Sequence, residues 1–185
     1  ATNKQNISDG IFYGLEKPAD TLFASTVPYC DIELEPYVYD LELAGQILDE
    51  AGWKMGSGNV REKDGQPLNI DLLYNSDSVT EKSIAEYLQS EYQSIGVSLN
   101  IHGEEEQSYR DNMKAGNFDM VFNICWGTPY DPQSSLAAMR APVYGDYAAQ
   151  LGLDDKAEID DAITEILITT DENRRQELYT YVLTH

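Results

Sequence analysis

Residues 68–101 have the sequence LNIDLLYNSDSVTEKSIAEYLQSEYQSIGVSLNI, and this stretch decides the fold class. It opens with a period of two that is typical of a strand with one buried face, carried by Leu68, Ile70, Leu72 and Tyr74. The spacing of apolar residues then becomes helical, at intervals of 4, 4 and 3 over Ile84, Leu88, Tyr92 and Ile95. Gly96 ends this helix, and alternation resumes over residues 97–101 as a second strand.

The start of the helix carries a capping box at Ser78-Val79-Thr80-Glu81. In such a box the serine side chain accepts a hydrogen bond from a backbone N–H of the first turn, and the glutamate reaches back to the N–H of the serine. We therefore expect the helix to begin directly after Ser78.

A second crossover follows, through an acidic helix predicted near residues 107–115 that is closed by Gly116. Residues 118–125 are then almost continuously apolar, which predicts a third strand that is central in the sheet and buried on both faces. Two successive βαβ units give parallel strands whose carboxyl ends share one rim. The predicted fold class is α/β: a three-layer-like lobe with a βαβαβ parallel core and additional C-terminal helices, starting near residues 134, 155 and 171.

The first 67 residues contain less regular structure. The sequence predicts a short helix after Asn6 or Ser8, an irregular stretch over residues 18–36, and a helix that Asp40 caps. A tight turn is expected at Lys63-Asp64-Gly65. We predict that residues 1–185 form a single domain.

Composition narrows the class of function. The chain has 185 residues and a formal net charge of −21, and such an acidic surface repels phosphate backbones and anionic membranes. We therefore expect no nucleic-acid partner. The two cysteines, Cys30 and Cys125, are expected to be small buried residues. The chain opens without the apolar segment of a signal peptide and stops within a helical pattern, so we expect a piece of a longer protein.

The rim of the predicted sheet is where an open α/β fold binds ligands. Three predicted loops meet there, over residues 75–77, 102–105 and 126–132. The third loop holds Trp126 and Tyr130 together with Pro129 and Pro132, and these prolines stiffen the backbone that carries the rings. From the pattern alone, Trp126 is equally suited to be a ligand platform or a plug on top of the core.

Enzyme chemistry has little support in the sequence. Neither a phosphate-binding glycine loop nor a nucleophile elbow is present. His102 would be the residue to support a hydrolase-like function with Ser76 or Ser78, or a metal site with the acids that follow at 104–106. A solvated helix cap accounts for the same acids more simply. We expect neither an enzyme nor a direct metal ligand.

Residues 123–140, NICWGTPYDPQSSLAAMR, resemble the extracytoplasmic solute-binding proteins of the nickel, dipeptide and oligopeptide ABC transporters, the nickel branch in particular. Other stretches agree in order along nearly the whole chain, and they include residues 19–24, 27–29, 51–53, 61–68, 103–106, 150–156 and 176–179. The resemblance implies a lobe of a type II periplasmic binding protein. It also implies that these residues are most of the second lobe, without the first lobe and the return of the chain to it.

In this family the ligand is trapped between two lobes, and a membrane permease recognises the closed form. The resemblance places Trp126 and Tyr130 in the cleft, which favours the platform, and it places Arg140 at the end of the motif. A histidine that coordinates nickel in the nickel branch is replaced here by Tyr144. The arginines that hold the carboxylates of the chelator belong to the absent lobe.

The resemblance therefore predicts a non-enzymatic protein that captures a ligand for an ABC importer. Its ligand would be nickel as a chelate or, alternatively, a dipeptide or oligopeptide, and it would need no resident cofactor. We expect an extracytoplasmic location, in the periplasm or lipid-anchored on the outer face of the membrane. The chain alone has half of a cleft, so we expect it to bind its ligand weakly. We also expect it to be monomeric.

Overall fold

The predicted parallel sheet and the helices around it are present in a computed structural model, which describes residues 1–124 and 132–185. In chain order these residues form α1 (Lys4–Ile11), α2 (Leu41–Glu50), β1 (Lys54–Met55), β2 (Arg61–Lys63), β3 (Gln66–Pro67), β4 (Asn69–Asn75), α3 (Val79–Ser94), β5 (Ser98–Glu104), α4 (Glu106–Ala115), β6 (Met120–Val121), α5 (Gln133–Met139), α6 (Gly145–Ala148), α7 (Lys156–Ile166) and α8 (Glu172–Thr184). Within the described residues, no helix has the length and apolar character needed to cross a membrane.

The parallel sheet has the strand order β5-β4-β6. Leu72 of β4 lies opposite Ile101 on one side and Met120 on the other, so β4 is the central strand. The prediction that the third strand is central and buried on both faces is wrong. In the described part, β6 is a two-residue edge strand with half-buried side chains, and Ile124 beyond it is 66% exposed. An edge strand has a neighbour on one side only, which leaves its apolar side chains less covered.

The alternation in β4 has the predicted consequence. Leu72 and Tyr74 pack with Ala85 and Leu88 of α3 and with Leu99 of β5 in one buried cluster. Each such side chain contributes roughly 1.5–3 kcal/mol when fully buried. On the opposite face Asn69, Asp71, Asn100 and His102 are exposed, whereas Leu73 is buried.

Helix α3 begins as predicted, but only half of its capping box forms. The Ser78 hydroxyl accepts from the N–H of Glu81 at 3.2 Å. The Glu81 carboxylate instead accepts from the N–H of Asn75 at 2.8 Å, while the N–H of Ser78 donates to the Asn75 carbonyl. Glu81 thereby joins the helix start to the end of β4.

The turn at residues 63–65 connects β2 and β3 in a small antiparallel sheet of order β1-β2-β3. Lys63 pairs with Gln66, and both loop residues have positive φ, 55° at Asp64 and 77° at Gly65. These are the conformations of a two-residue type I′ hairpin, which Asp-Gly favours.

The contacts within the chain form two compact units. The first contains the parallel sheet and consists of residues 1–18, 37–109 and 118–122, and the second consists of residues 19–36, 110–117 and 123–185. The prediction that they make up a single domain stays a prediction.

The core of the second unit is formed by α5, α7 and α8. Its buried residues are Leu136, Ile159, Ala162, Ile163, Ile166, Leu178, Tyr179 and Val182. The sequence predicts Leu178, Tyr181 and Val182 as the buried positions of the last helix. The structure instead buries Tyr179 completely and leaves Tyr181 half-buried, because Tyr179 stacks on Tyr29 with ring centroids 4.7 Å apart. Cys30 is buried as predicted, and Cys125 lies outside the described residues.

Tyr29 anchors the irregular segment of the second unit to α8. Its φ of 66° is in the left-handed region, which is unfavourable for an aromatic residue and needs support from its surroundings. Besides the ring stacking, its hydroxyl donates to Glu172 at 2.6 Å and its carbonyl accepts from Gln176 at 3.1 Å. These long-range contacts hold a segment that has no helix or strand of its own.

Arg61 joins three elements of the first unit from a buried position, with 6% of the residue exposed. Its guanidinium donates to the carbonyls of Ile95 and Trp53, both at 2.7 Å, and to Asp49 at 3.0 Å. The hydrogen bond from Arg61 holds the pKa of Asp49 below its ordinary value. One side chain thus satisfies acceptors at the ends of α2 and α3 and beside β1.

We expect the substitution Arg61→Met to lower the free energy of unfolding by about 2–4 kcal/mol, because it leaves these acceptors without their donor. Urea unfolding of the full-length protein measures the loss. The control is Arg174→Met, which removes an exposed arginine bonded to Glu165 and Glu177 and is expected to change little. Equal effects of the two substitutions would contradict the role of Arg61.

Candidate functional site

The carboxyl ends of β4 and β5 lie side by side, as the sequence predicts. Asn75 is opposite Glu104 in the parallel register, and the N–H of Ser76 donates to the Glu104 carbonyl at 2.8 Å. The Asn75 side chain donates to Glu106 at 2.5 Å and accepts from the N–H of Asp77 at 3.0 Å. The first two rim loops are therefore connected to each other by hydrogen bonds.

His102 does not belong to this rim. It lies inside β5 opposite Leu73, and its Nε2 is 3.1 Å from Oδ1 of Asp71, in the middle of β4. The sequence places His102 with the acids at 104–106, but β5 extends to Glu104, so alternation along the strand turns the imidazole onto the polar sheet face. Within residues 1–124 and 132–185, no three His, Cys, Asp or Glu side chains are grouped as a metal site would require.

Asp71 is the acceptor at the centre of this polar face. Its Oδ1 accepts from Nδ2 of Asn100 at 3.0 Å in addition to its contact with His102. The hydrogen bond from Asn100 and then that from His102 lower the pKa of Asp71, against a smaller opposing effect of burial. Both members of the histidine–aspartate pair are about half-exposed, so solvent screens their attraction.

We expect Asn100→Ala to raise the pKa of Asp71 toward its ordinary value of 3.8, and His102→Ala to raise it less. Because the folded-state pKa is depressed, these contacts stabilise the protein above the unfolded-state pKa, and their contribution is lost as the pH falls through the folded-state value. An NMR titration of the Asp71 carboxyl carbon measures the shift. Asn69→Ala, on the same strand, serves as the control, and an unchanged Asp71 pKa in Asn100→Ala would contradict the assignment.

Trp126 and Tyr130, the predicted aromatic residues of the third loop, lie outside the described residues. The chain is described up to Ile124 before them and again from Pro132 after them. Pro132 is fully buried, and its carbonyl accepts from the N–H of Leu136 at 3.1 Å in the first turn of α5. The described chain therefore resumes at a buried proline that precedes α5.

Arg140 and Tyr144 lie on either side of the turn between α5 and α6. Arg140 ends α5, and its guanidinium donates to the Thr164 hydroxyl of α7 at 3.1 Å. Tyr144 precedes the first residue of α6 and is 50% exposed, and its N–H donates to the carbonyl of Ala141 at 3.0 Å. Arg140 therefore contacts α7, whereas Tyr144 is half-exposed.

One polar contact near these residues was not predicted from the sequence. Asn123, two positions before the undescribed loop, donates from Nδ2 to Oδ1 of Asp146 in α6 at 3.0 Å. The partners are 23 residues apart, and no periodicity or local motif connects them. Gly145, which precedes Asp146 in α6, is buried against Met113, where an added Cβ would lie 3.0 Å from the side chain.

The chain belongs to the bacterial extracellular solute-binding proteins of family 5, because the profile of the middle region of this family matches residues 1–146. The chain is 44% identical over all of its 185 residues to the nickel-binding periplasmic protein of Escherichia coli K12, of which it covers 35%. It is 25% identical over 179 residues to the dipeptide-binding protein of the same organism, covering 97% of the chain and 32% of that protein.

The comparison with a solved structure agrees with this family assignment. The crystal structure of NikA from Brucella suis in complex with Fe(III)-EDTA superposes with a TM-score of 0.94 at 48% identity, covering 100% of this chain and 37% of that one. The resemblance derived from residues 123–140 and the predicted lobe of a type II periplasmic binding protein are confirmed. The chain spans about a third of the length of the relatives that it matches.

Proposed function

We propose that the protein carrying this chain captures nickel, as a chelate complex, for an ABC importer. The observation that carries the proposal is the identity of 44% with the nickel-binding periplasmic protein of E. coli over the whole chain. The superposition on NikA of B. suis, which holds Fe(III)-EDTA, has a TM-score of 0.94 and supports a metal chelate as the ligand. These residues would supply most of one lobe, which closes on the ligand against a second lobe.

A chelate fits the side chains better than a bare ion does. At the position where the resemblance expects a nickel-coordinating histidine, this chain has Tyr144, whose phenol is a hydrogen-bonding group rather than a preferred nickel ligand. The NikA structure that is 48% identical holds a metal inside an organic chelator, EDTA. The chelator would thus provide the ligand atoms, and the protein would bind its surface.

In this proposal Trp126 and Tyr130 form the aromatic wall of the cleft, and Tyr144 adds a phenol at its border. Aromatic rings bury large apolar area and, for Tyr and Trp, keep a hydrogen-bonding group at the edge. Arg140 stays a candidate binding residue, but its bond to Thr164 supports a role in holding the α5–α6 turn. His102 has no role in this site.

We infer the partner and the location of the protein from its family. The matched relatives are binding proteins by name, and the family description is extracellular, so we propose a non-enzymatic protein outside the cytoplasm that delivers its ligand to a membrane permease. Attachment by a lipid anchor is part of the proposal as an alternative to a free periplasmic protein. A monomer is the expected oligomeric state.

A peptide is the second candidate ligand. The likeness to the dipeptide-binding protein of E. coli covers 97% of the chain, although at 25% identity it is much weaker than the likeness to the nickel-binding protein. In that case the aromatic side chains would form pockets for the side chains of the peptide, and its backbone would pair with an extended segment at the rim.

Calorimetry of the full-length protein distinguishes the two ligands. We expect nickel–histidine or nickel–citrate to bind more tightly than bare Ni²⁺ or a pool of dipeptides. Tyr130→Ala is expected to weaken chelate binding by about tenfold or more, as the loss of a central aromatic contact does. The matched control is Tyr37→Ala, at a tyrosine that is 97% exposed. Tight binding of dipeptides without binding of nickel chelates would overturn the proposal in favour of the peptide.

A further inference from the structure

Strand β6 has one edge that no strand of the described residues covers. Its sheet has the order β5-β4-β6, so within residues 1–124 and 132–185 only β4 pairs with it. The N–H of Phe122, directly after β6, donates to the Leu73 carbonyl of β4 at 3.4 Å. Backbone groups of successive residues point to opposite edges of a strand, so those of Val121 point to the outer edge. That edge therefore offers a donor and an acceptor to a further strand.

The side chains around β6 are those of an interior strand. Met120, Val121 and Phe122 are three successive apolar residues, and successive side chains point to opposite faces of a sheet. All three are half-buried in the part of the chain that the structure describes. Strand β5, at the opposite edge of the sheet, instead exposes Asn100 and His102 on one face. Because apolar residues on both faces are typical of a covered parallel strand, we expect the full-length protein to cover the outer edge of β6.

The first residues of the chain indicate which segment can reach this edge. Helix α3 ends directly before β5 begins, so Tyr92 in its last turn lies at the amino-terminal ends of the parallel strands. The hydroxyls of Thr2 and Tyr92 are 3.4 Å apart, and both residues belong to the first unit. Residues 1–146 match the middle region of the family, and the chain covers 35% of the E. coli nickel-binding protein. We therefore expect further chain before Ala1, which enters the first unit at this end of the sheet.

We propose that the segment directly before Ala1 in the full-length protein forms a strand that pairs with the outer edge of β6. Since this segment meets the first unit at the amino-terminal ends of the parallel strands, it would run antiparallel to β6. The N–H and the carbonyl of Val121 would then bond to it, and β6 would become an interior strand. The sheet would thereby be joined to the part of the protein that precedes it, whichever ligand the protein binds.

Hydrogen exchange of two matched amides in the full-length protein tests whether the edge is paired. Val121 and Ile101 are half-buried β-branched residues of the two outer strands of the sheet. The N–H of Ser98 donates to the Leu68 carbonyl, so alternation along β5 directs the N–H of Ile101 away from β4 as well. We expect the amide of Val121 to exchange about a hundredfold more slowly than that of Ile101, because it would be bonded inside the sheet. Mass spectrometry with fragmentation to single residues measures both rates, and equal rates would overturn the inference.

A photocrosslink in the full-length protein identifies the segment that pairs. The residue p-benzoylphenylalanine in place of Phe122 reaches side chains of a neighbouring strand, which lie about 5 Å away on the same face. We expect it to crosslink to peptides from before Ala1. The control places the same group at Tyr37, which is 97% exposed, and is expected to give no crosslink to those peptides. Crosslinks to a second copy, to residues after His185, or only within residues 1–185 would overturn the inference. Neither measurement uses a ligand, so a failure here is distinguishable from a failure of the proposed function.

Discussion

The parallel pairing of β4 along both of its edges is the constraint on which the first unit depends. The backbone groups of β4 bond to β5 over seven residues and to β6 on the other side, which lets Leu72 and Tyr74 enter the interior without unpaired polar groups. The same register brings Asn75 beside Glu104, so the two loops of the rim start from adjacent points. Packing of α3 and the location of the rim both follow from one ladder.

Segments without periodicity depend on individual long-range contacts instead. In the first unit, Arg61 donates hydrogen bonds to Asp49 and to the carbonyls of Trp53 and Ile95. In the second unit, Tyr29 contacts α8 through its ring, its hydroxyl and its carbonyl. Arg61 contacts residues at the C-terminal ends of α2 and α3, and Tyr29 contacts residues along α8. Such contacts stabilise irregular chain at the cost of placing a charge or a strained backbone in the interior.

What the sequence predicts correctly is what local physical chemistry determines. Alternation identifies β4 and β5, the Asp64-Gly65 turn identifies the hairpin, and the caps Ser78, Asp40 and Asp171 locate helix starts. The errors concern burial that arises from tertiary neighbours: the edge position of β6, the preference for Tyr179 over Tyr181, and the orientation of His102 along an extended β5. The cleft role expected for Trp126 and Tyr130 comes from the resemblance and stays a prediction, and the bond between Asn123 and Asp146 has no local signal by which it could be found.

Several arginines of this chain are bonded to other residues of the chain. These contacts join Arg61 to carbonyls and to Asp49, Arg140 to Thr164, and Arg174 to Glu165 and Glu177, and they place Arg175 over the ring of Tyr29. The chain has a net charge of −21, so its overall field repels the carboxylates of a chelator unless positive groups lie next to them. In the proposed site the chemistry would be divided between two lobes: this lobe would offer aromatic surface and phenols, and the resemblance places the arginines that hold the carboxylates of the chelator on the other lobe.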